Sequence, residues 1–272
     1  MSTNTASSNI LVVGNGPSAA AIDFRRLPQD VRFMRMTNFF FEEKYYAGKR
    51  VDYYTDYIKR LDNQYFNIRN LNERGEYDVN MQNIYITVMF EQNYHFPTVK
   101  LATPLIQQNP AIAEFRCFYE YYYGQYIPTG IAAIALAASL GFEQVYLTGF
   151  EFLSNPADHY YRINAPVYNS IFSELLNTKK SYDSTSGNEA VPQKHPVEMS
   201  IKFLELLKRE FLTTRFLSVT ESSSITRHVG LAPLIYEYPW YVPEDKPANY
   251  LRDWLPLPDS MPSRKVSKPA NI

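Results

Sequence analysis

The chain has 272 residues, 45 % of them apolar and 20 % charged, enough to bury one large α/β domain or a domain with a smaller lobe. Its 27 Lys and Arg stand against 28 Asp and Glu, a formal charge of −1, which argues against nucleic acid as the main partner because phosphate-backbone binders carry a basic excess. A single cysteine, Cys117, excludes an internal disulfide, no apolar run reaches the roughly 20 residues of a spanning helix, and no secretory signal is visible, so a cytoplasmic protein is expected, open to peripheral contact at the inner membrane.

Residues 1–9 read as a disordered lead-in. Ile10–Val13 is a β-branched strand that stops at Gly14-Asn15-Gly16-Pro17-Ser18 and hands over to a helix, with Ser18 as its cap. Val31–Met36 forms a second strand closing on Thr37-Asn38, and Val51–Thr55 a third. Tyr57–Arg74 has helical spacing, with Leu61, Tyr65, Ile68 and Leu71 on one face. Asn83–Phe90 is a further strand, and Pro104–Tyr126 an aromatic helix. Pro128-Thr129-Gly130 leads into an Ala-rich helix, Ile131–Leu140, stopped by Gly141. Gln144–Thr148 is a clear strand closed by Gly149. Pro156–Pro192 is polar and reads as a lid. His195-Pro196 opens a helix to about Glu210, with Ile201, Leu204, Leu207 and Phe211 in register, and Phe216–Val219 is the last strand. The division expected is a nucleotide-binding core over 10–155, a lid over 156–192, the rest of the core over 193–232, and a Pro- and aromatic-rich tail over 233–272.

Strand–loop–helix alternation predicts an α/β fold, one Rossmann-like domain with a mostly parallel sheet. Ligands in such sheets sit beyond the carboxyl ends of the strands. Gly14, Thr37, Gly149 and the Pro128 loop all fall there, so they are candidates to meet at one cleft.

The glycine loop can offer backbone N–H groups and a helix start to a nucleotide phosphate or ribose; read alone, it is more often a plain turn. Ala19 stands where the dinucleotide fingerprint has its third glycine, and the second strand ends without the acid that would hold an adenosine ribose. Both count against an NAD-dependent oxidoreductase. The amide of Asn38 can present donor and acceptor together to a pyrimidine edge. Thr129, read alone, is a helix cap, and Glu151 a structural acid holding a loop N–H. His195 precedes Pro196 at a helix start, where the positive end of the helix keeps an imidazole neutral, as a general base requires; read alone, a surface histidine is the commoner outcome. No metal-ligand spacing occurs, neither HExxH nor clustered carboxylates. A leaving phosphate would then be held by hydroxyl and N–H groups, for which Tyr160, Tyr161 and Arg162 of the lid are candidates.

Four blocks taken in order resemble the small bacterial sialyltransferases of lipo-oligosaccharides, glycosyltransferase family 42. They are ILVVGNGPSAAAIDFRRLPQDVRFMRMTNFFFEEKYYAGKR, IPTGIAAIALAASLGFEQVYLTGFEF, the tyrosine-bearing lid and HPVEMSIKFLELL. The resemblance implies a Rossmann-like domain of the GT-A-like variant, with a small lid closing over CMP-sialic acid. It also implies inverting transfer of sialic acid to a glycan acceptor, galactose-terminated and on a bacterial surface, with no metal or cofactor. By position it makes Gly14, Asn15, Gly16 and Ser18 the nucleotide loop, and Thr37 or Asn38 the cytidine reader. Gln64 lies near the donor, Thr129 and Gly130 face the donor sugar, Tyr160 or Tyr161 holds phosphate, and His195 is the base; Gly149, at a strand's carboxyl end, is a further candidate for substrate binding. The chain departs from the family pattern at Leu153, where a second phosphate-holding tyrosine is expected, and at Tyr126, where an arginine is. The family's asparagine after the third strand is replaced by Thr55 to Tyr57, and Arg162 can supply the missing positive charge. These departures motivate a rival reading, a CMP-sugar or glycan-binding protein with altered donor or weak catalysis. The 23 Tyr and 17 Phe, and the Tyr119–Tyr123 run especially, point as readily to a homo-oligomer, as in the family, as to a local core cluster.

Overall fold

The structure, a computed structural model, describes residues 7–57, 61–87, 99–152 and 197–246, without the side chains of residues 57 and 61–64. Seven strands form one sheet: β1 (Asn9–Val13), β2 (Arg32–Met36), β4 (Tyr53–Tyr57), β6 (Ile84–Thr87), β7 (Val99–Leu101), β8 (Gln144–Thr148) and β9 (Arg215–Ser218). They lie in the order β7-β6-β4-β2-β1-β8-β9, and every pairing is parallel. The chain leaves β1 toward β2 on one side and later returns to place β8 on the other. The strand order therefore reverses at β1, and the crevice between the carboxyl ends of β1 and β8 is where a ligand is expected.

Period-two alternation divides the sheet between two cores. Leu11, Val13 and Phe33 face one, with Phe24, the Phe39–Phe41 run, Tyr54 and Tyr77. Ile10, Val12 and Met34 face the other, with Met36, Val145 and Leu147. Helices α3 (Pro110–Tyr123), α4 (Thr129–Ser139) and α5 (Val197–Glu210) supply the second core. On the first, Ile68 and Leu71 of α1 (Leu61–Glu73) pack beside the short β3 (Arg50–Val51) and β5 (Asp78–Val79). Ile131 to Ala138 of α4 are buried without a break, which is why that helix is apolar all round. The short helices α2 (Thr103–Ile106) and α6 (Thr226–Val229) complete the described elements.

Several expectations are corrected. The glycine loop does not start an α-helix. It enters a 3-10 turn, Pro17–Ala21, and after extended Ile22 a second, Phe24–Arg26. Ile22 ends the first and Asp23 begins the second: the Asp23 N–H donates to the Val219 carbonyl (3.1 Å) while its carboxylate accepts from the Arg25 N–H, which uses backbone bonding a longer helix would need. The Val51–Thr55 strand is two pieces, because the Asp52 N–H donates to Phe33 O and its carboxylate accepts from the Phe33 N–H (3.0 and 2.8 Å). Val51 is thereby released to pair with Val79. The aromatic helix breaks at Asn109, whose side chain accepts from the Ala111 and Ile112 N–H groups ahead of Pro110, a local N-cap. The Gly141 stop stands, at φ +84°.

The expected tail has defined contacts as far as Lys246. Ile235 and Tyr236 donate to Arg25 O, Trp240 donates its indole N–H to Leu27 O, and Tyr241 its hydroxyl to Tyr45 O. This strap covers the first core beside Phe24.

Candidate active site at the carboxyl edge

Gly14 and Gly149 are the hinge of the site. Backbone meets backbone: a Cβ on Gly14 would lie 2.3 Å from Gly149 O, and one on Gly149 2.3 Å from Gly14 O. The Gly14 N–H donates to Thr148 O (2.8 Å) and the Gly16 N–H to Gly149 O (2.9 Å). Only glycines allow this approach, and Gly149 also needs it for its φ of +75°.

Three further loops close on that hinge. The Asn15 amide donates to the Thr37 hydroxyl (2.6 Å) and to Met36 O (3.3 Å), joining two candidate residues 22 positions apart. Thr37 itself sits at φ +46°, a costly conformation for a β-branched residue. Its carbonyl accepts from the Tyr54 hydroxyl (3.2 Å), and its N–H donates to Thr55 O (3.0 Å). Asn38 is buried and opens the 3-10 turn Phe39–Phe41. From the other side α4 arrives through Gly130, where a Cβ would stand 2.9 Å from the Phe150 ring and 3.6 Å from Met36 sulfur. The turn after β9 contributes Thr220, whose hydroxyl meets that of Thr148 at 2.7 Å, and Ser223, which donates to Phe150 O (3.2 Å).

Gly14, Asn15, Gly16, Ser18, Thr37, Asn38, Gly130 and Gly149 therefore converge as expected. Two local roles do not hold. Ser18 is not a cap: the 3-10 turn is capped at Gly16 without a side-chain bond, and the Ser18 hydroxyl instead accepts from the Gly149 N–H (3.0 Å). Thr129 is not a cap either; Pro128 occupies that position and Thr129 is the first helical residue. His195, Tyr160, Tyr161, Arg162, Leu153, the 156–192 lid and the side chain of Gln64 lie outside the described residues.

Thr220 and Ser223 are the residues whose part in the site the sequence reading left unseen; Glu151 is the structural acid that reading expects. Glu151 does hold a loop N–H: its Oε1 accepts from Ser18 N (3.2 Å) and from the Ser223 hydroxyl (3.4 Å). Burial pushes its carboxyl above the usual carboxylate range, opposed by the bonds from Ser18 and Ser223. The turn signal at Glu221-Ser222-Ser223-Ser224 was the available clue to the third wall.

The end of α5 supplies one more coordinate. Arg215 is level with Gln144 across β8 and β9, so α5 ends at the amino edge. Its 14 residues, about 21 Å at 1.5 Å per residue, carry its first turn to the carboxyl edge. His195 precedes that turn by two positions.

A parallel sheet whose strand order reverses at β1, with a closed glycine hinge at that switch point, defines a Rossmann-like α/β domain. The chain belongs to the family described as alpha-2,3-sialyltransferase (CST-I), whose model matches residues 8–270, and it is accordingly a glycosyltransferase. Its structure is similar to that of the monofunctional alpha-2,3-sialyltransferase Cst-I from Campylobacter jejuni (24% identity, TM-score 0.76, covering 96% of this chain and 92% of that one). It is also similar to CstII from the same organism crystallised with the substrate analogue CMP-3FNeuAc (24% identity, TM-score 0.74, 88% and 92% covered). A third likeness is to a CST-II sialyltransferase in complex with a trisaccharide acceptor and CMP (23% identity, TM-score 0.69, 88% and 91% covered). No curated protein matches the chain in sequence.

Proposed function

We propose that this sialyltransferase moves sialic acid from CMP-sialic acid to a galactose-terminated glycan of a bacterial surface lipo-oligosaccharide, inverting the anomeric centre, with His195 as general base and no metal. The observation that carries the reading is the coupling of Asn15 to Thr37 beside buried Asn38. It sets one amide-bearing loop at the switch point, able to present donor and acceptor together to a pyrimidine edge, with no acid at the end of β2 to take an adenosine ribose. The CMP analogue and the trisaccharide acceptor seen in similar enzymes support the same donor and acceptor classes.

In this mechanism the acceptor hydroxyl gives its proton to His195 as its oxygen attacks the anomeric carbon. CMP leaves with the glycosidic electron pair, and Tyr160, Tyr161 and Arg162 are assigned to the departing phosphate. The position of His195, two residues before a helix that starts at the carboxyl edge, supports a neutral imidazole. Self-association is assigned to the exposed face of α3, where Phe118, Tyr121, Tyr122 and Tyr123 stand clustered. No helix among the described residues is long and apolar enough to cross a membrane; peripheral membrane contact remains part of the proposal.

The test is release of CMP from CMP-sialic acid with and without a lactose-type acceptor. Acceptor-stimulated release is expected, falling by about a hundredfold to ten-thousandfold in His195→Ala while CMP affinity stays within about threefold. Equal loss of turnover and CMP binding would remove His195 from the role of base. CMP binding without release on any acceptor would favour a binding protein.

A further inference from the structure

Doubly wound folds that bind dinucleotides lodge a pyrophosphate on the turn after the first strand, where backbone N–H groups are left open for it. Here four N–H groups of that turn, those of Gly14, Gly16, Ser18 and Ala19, are already taken from within. The N–H of Gly14 is taken by Thr148 O, that of Gly16 by Gly149 O, and that of Ala19 by Gly16 O. Pro17 has none. The Ser18 N–H is taken by a carboxylate, Glu151 Oε1.

The carboxylate also fills the space a side chain at position 16 would use: a Cβ there would fall 1.4 Å from Oε2 and 2.6 Å from Cδ. Oε2 is buried with no hydrogen-bond partner, so an acceptor oxygen, unsatisfied and backed by Ser223 on the other side, lies directly beneath the loop. An acceptor of this kind opposes a phosphate oxygen by charge when ionised and by occupied volume in either state.

We propose that Glu151 is a specificity-determining residue, an internal anion that closes the glycine turn to phosphate and so restricts the donor nucleotide to a monophosphate. The inference rests on the CMP-sugar reading above and extends it. The donor's single phosphate is held away from the glycine turn, and a nucleoside diphosphate brings a second anion that the turn rejects.

The experiment is a pair of dissociation constants, for CMP and for CDP, measured by calorimetry on the full chain and on Glu151→Gln and Glu151→Ala. The wild-type chain is expected to bind CMP at least tenfold more tightly than CDP. Glu151→Gln keeps the volume and an acceptor for the Ser18 N–H but removes the charge, and should narrow that preference about threefold or more. Glu151→Ala removes both and should narrow it at least tenfold. A residue that merely supports the fold would weaken both nucleotides together and leave their ratio alone, so an unchanged ratio in the two variants overturns the inference. If Glu151→Ala does not fold, the Glu151→Gln ratio decides. Failure of the wild-type chain to bind CMP would overturn the donor reading, and this inference with it; CMP binding with an unmoved ratio sinks the inference alone.

Discussion

At the residue scale the site depends on two glycines that touch. Gly149→Ala places a methyl group against the Gly14 carbonyl, at a φ that side chains seldom adopt. Neither contact is with a flexible side-chain end, so the sheet ends must separate. The expected cost is about 3 kcal/mol or more, read as a fall in the denaturant midpoint together with loss of CMP-induced thermal stabilisation. A stable Gly149→Ala chain that still binds CMP would show that the β1–β8 approach is looser than the contact implies. Most of this constellation was legible in the sequence, because Gly14, Thr37 and Gly149 each follow the carboxyl end of a strand, where ligands of a parallel sheet sit. What was not legible was partnership. Nothing in Gly14-Asn15-Gly16-Pro17-Ser18 says that the Ser18 N–H is taken by a carboxylate 133 positions away, or that the Ser18 hydroxyl serves Gly149, 131 positions away, and not its own turn. Thr37 gives no sign of its positive φ, since the bonds it accepts from Tyr54 and Asn15 and the one it donates to Thr55 O hold it there.

At the scale of elements, the turn that carries Asn38 is backed by a buried polar cluster. Arg35 on β2 pairs with Glu42 at 2.7 Å, both fully buried, and the Tyr77 hydroxyl donates to the same carboxylate at 2.7 Å. Arg35 lies over the Phe39 ring, and Lys246 at the end of the strap reaches the Phe40 carbonyl (2.9 Å) between the faces of Tyr45 and Tyr77. β2 and Tyr77, just before β5, are thus tied at one anion behind the Phe39–Phe41 turn, and the strap is tied to the turn itself through Phe40 O. Removing it takes from Arg35 the charge that offsets its desolvation, so Glu42→Gln should destabilise the chain by about 3–5 kcal/mol, measured by urea unfolding. A loss below about 1 kcal/mol would mean that the cluster contributes little beyond packing. The sequence could not announce this knot. Strands, and the buried α4 above all, declare themselves by apolar runs, but a charge inside a run, such as Arg35 in RFMRM, reads as a surface residue until its partner is known. The strap escaped for a related reason: its stability comes from single bonds to Arg25, Leu27 and Tyr45, and it has no periodicity to detect.

At the scale of the whole molecule, the question is how charge on a leaving CMP is balanced by a chain with a net charge of −1 and no global field to help. A divalent cation would need acidic or imidazole ligands in a group. At the carboxyl edge the described acids are committed elsewhere: Asp56 accepts from the Tyr54 hydroxyl at 2.8 Å, and Glu151 is bound to Ser18 and Ser223. Among the described residues no three His, Cys, Asp or Glu side chains come together in a way that could hold a metal. The proposal gives the phosphate to hydroxyl, N–H and guanidinium donors, whose strength grows as water is excluded around them. Exhaustive treatment with EDTA should accordingly leave acceptor-dependent CMP release within about twofold of the untreated rate, and added Mg2+ or Mn2+ should not raise it beyond that range. A tenfold loss on chelation that is restored by either cation would move the phosphate's counter-charge from side chains to a metal. It would also leave Tyr160, Tyr161 and Arg162 with a positioning role only.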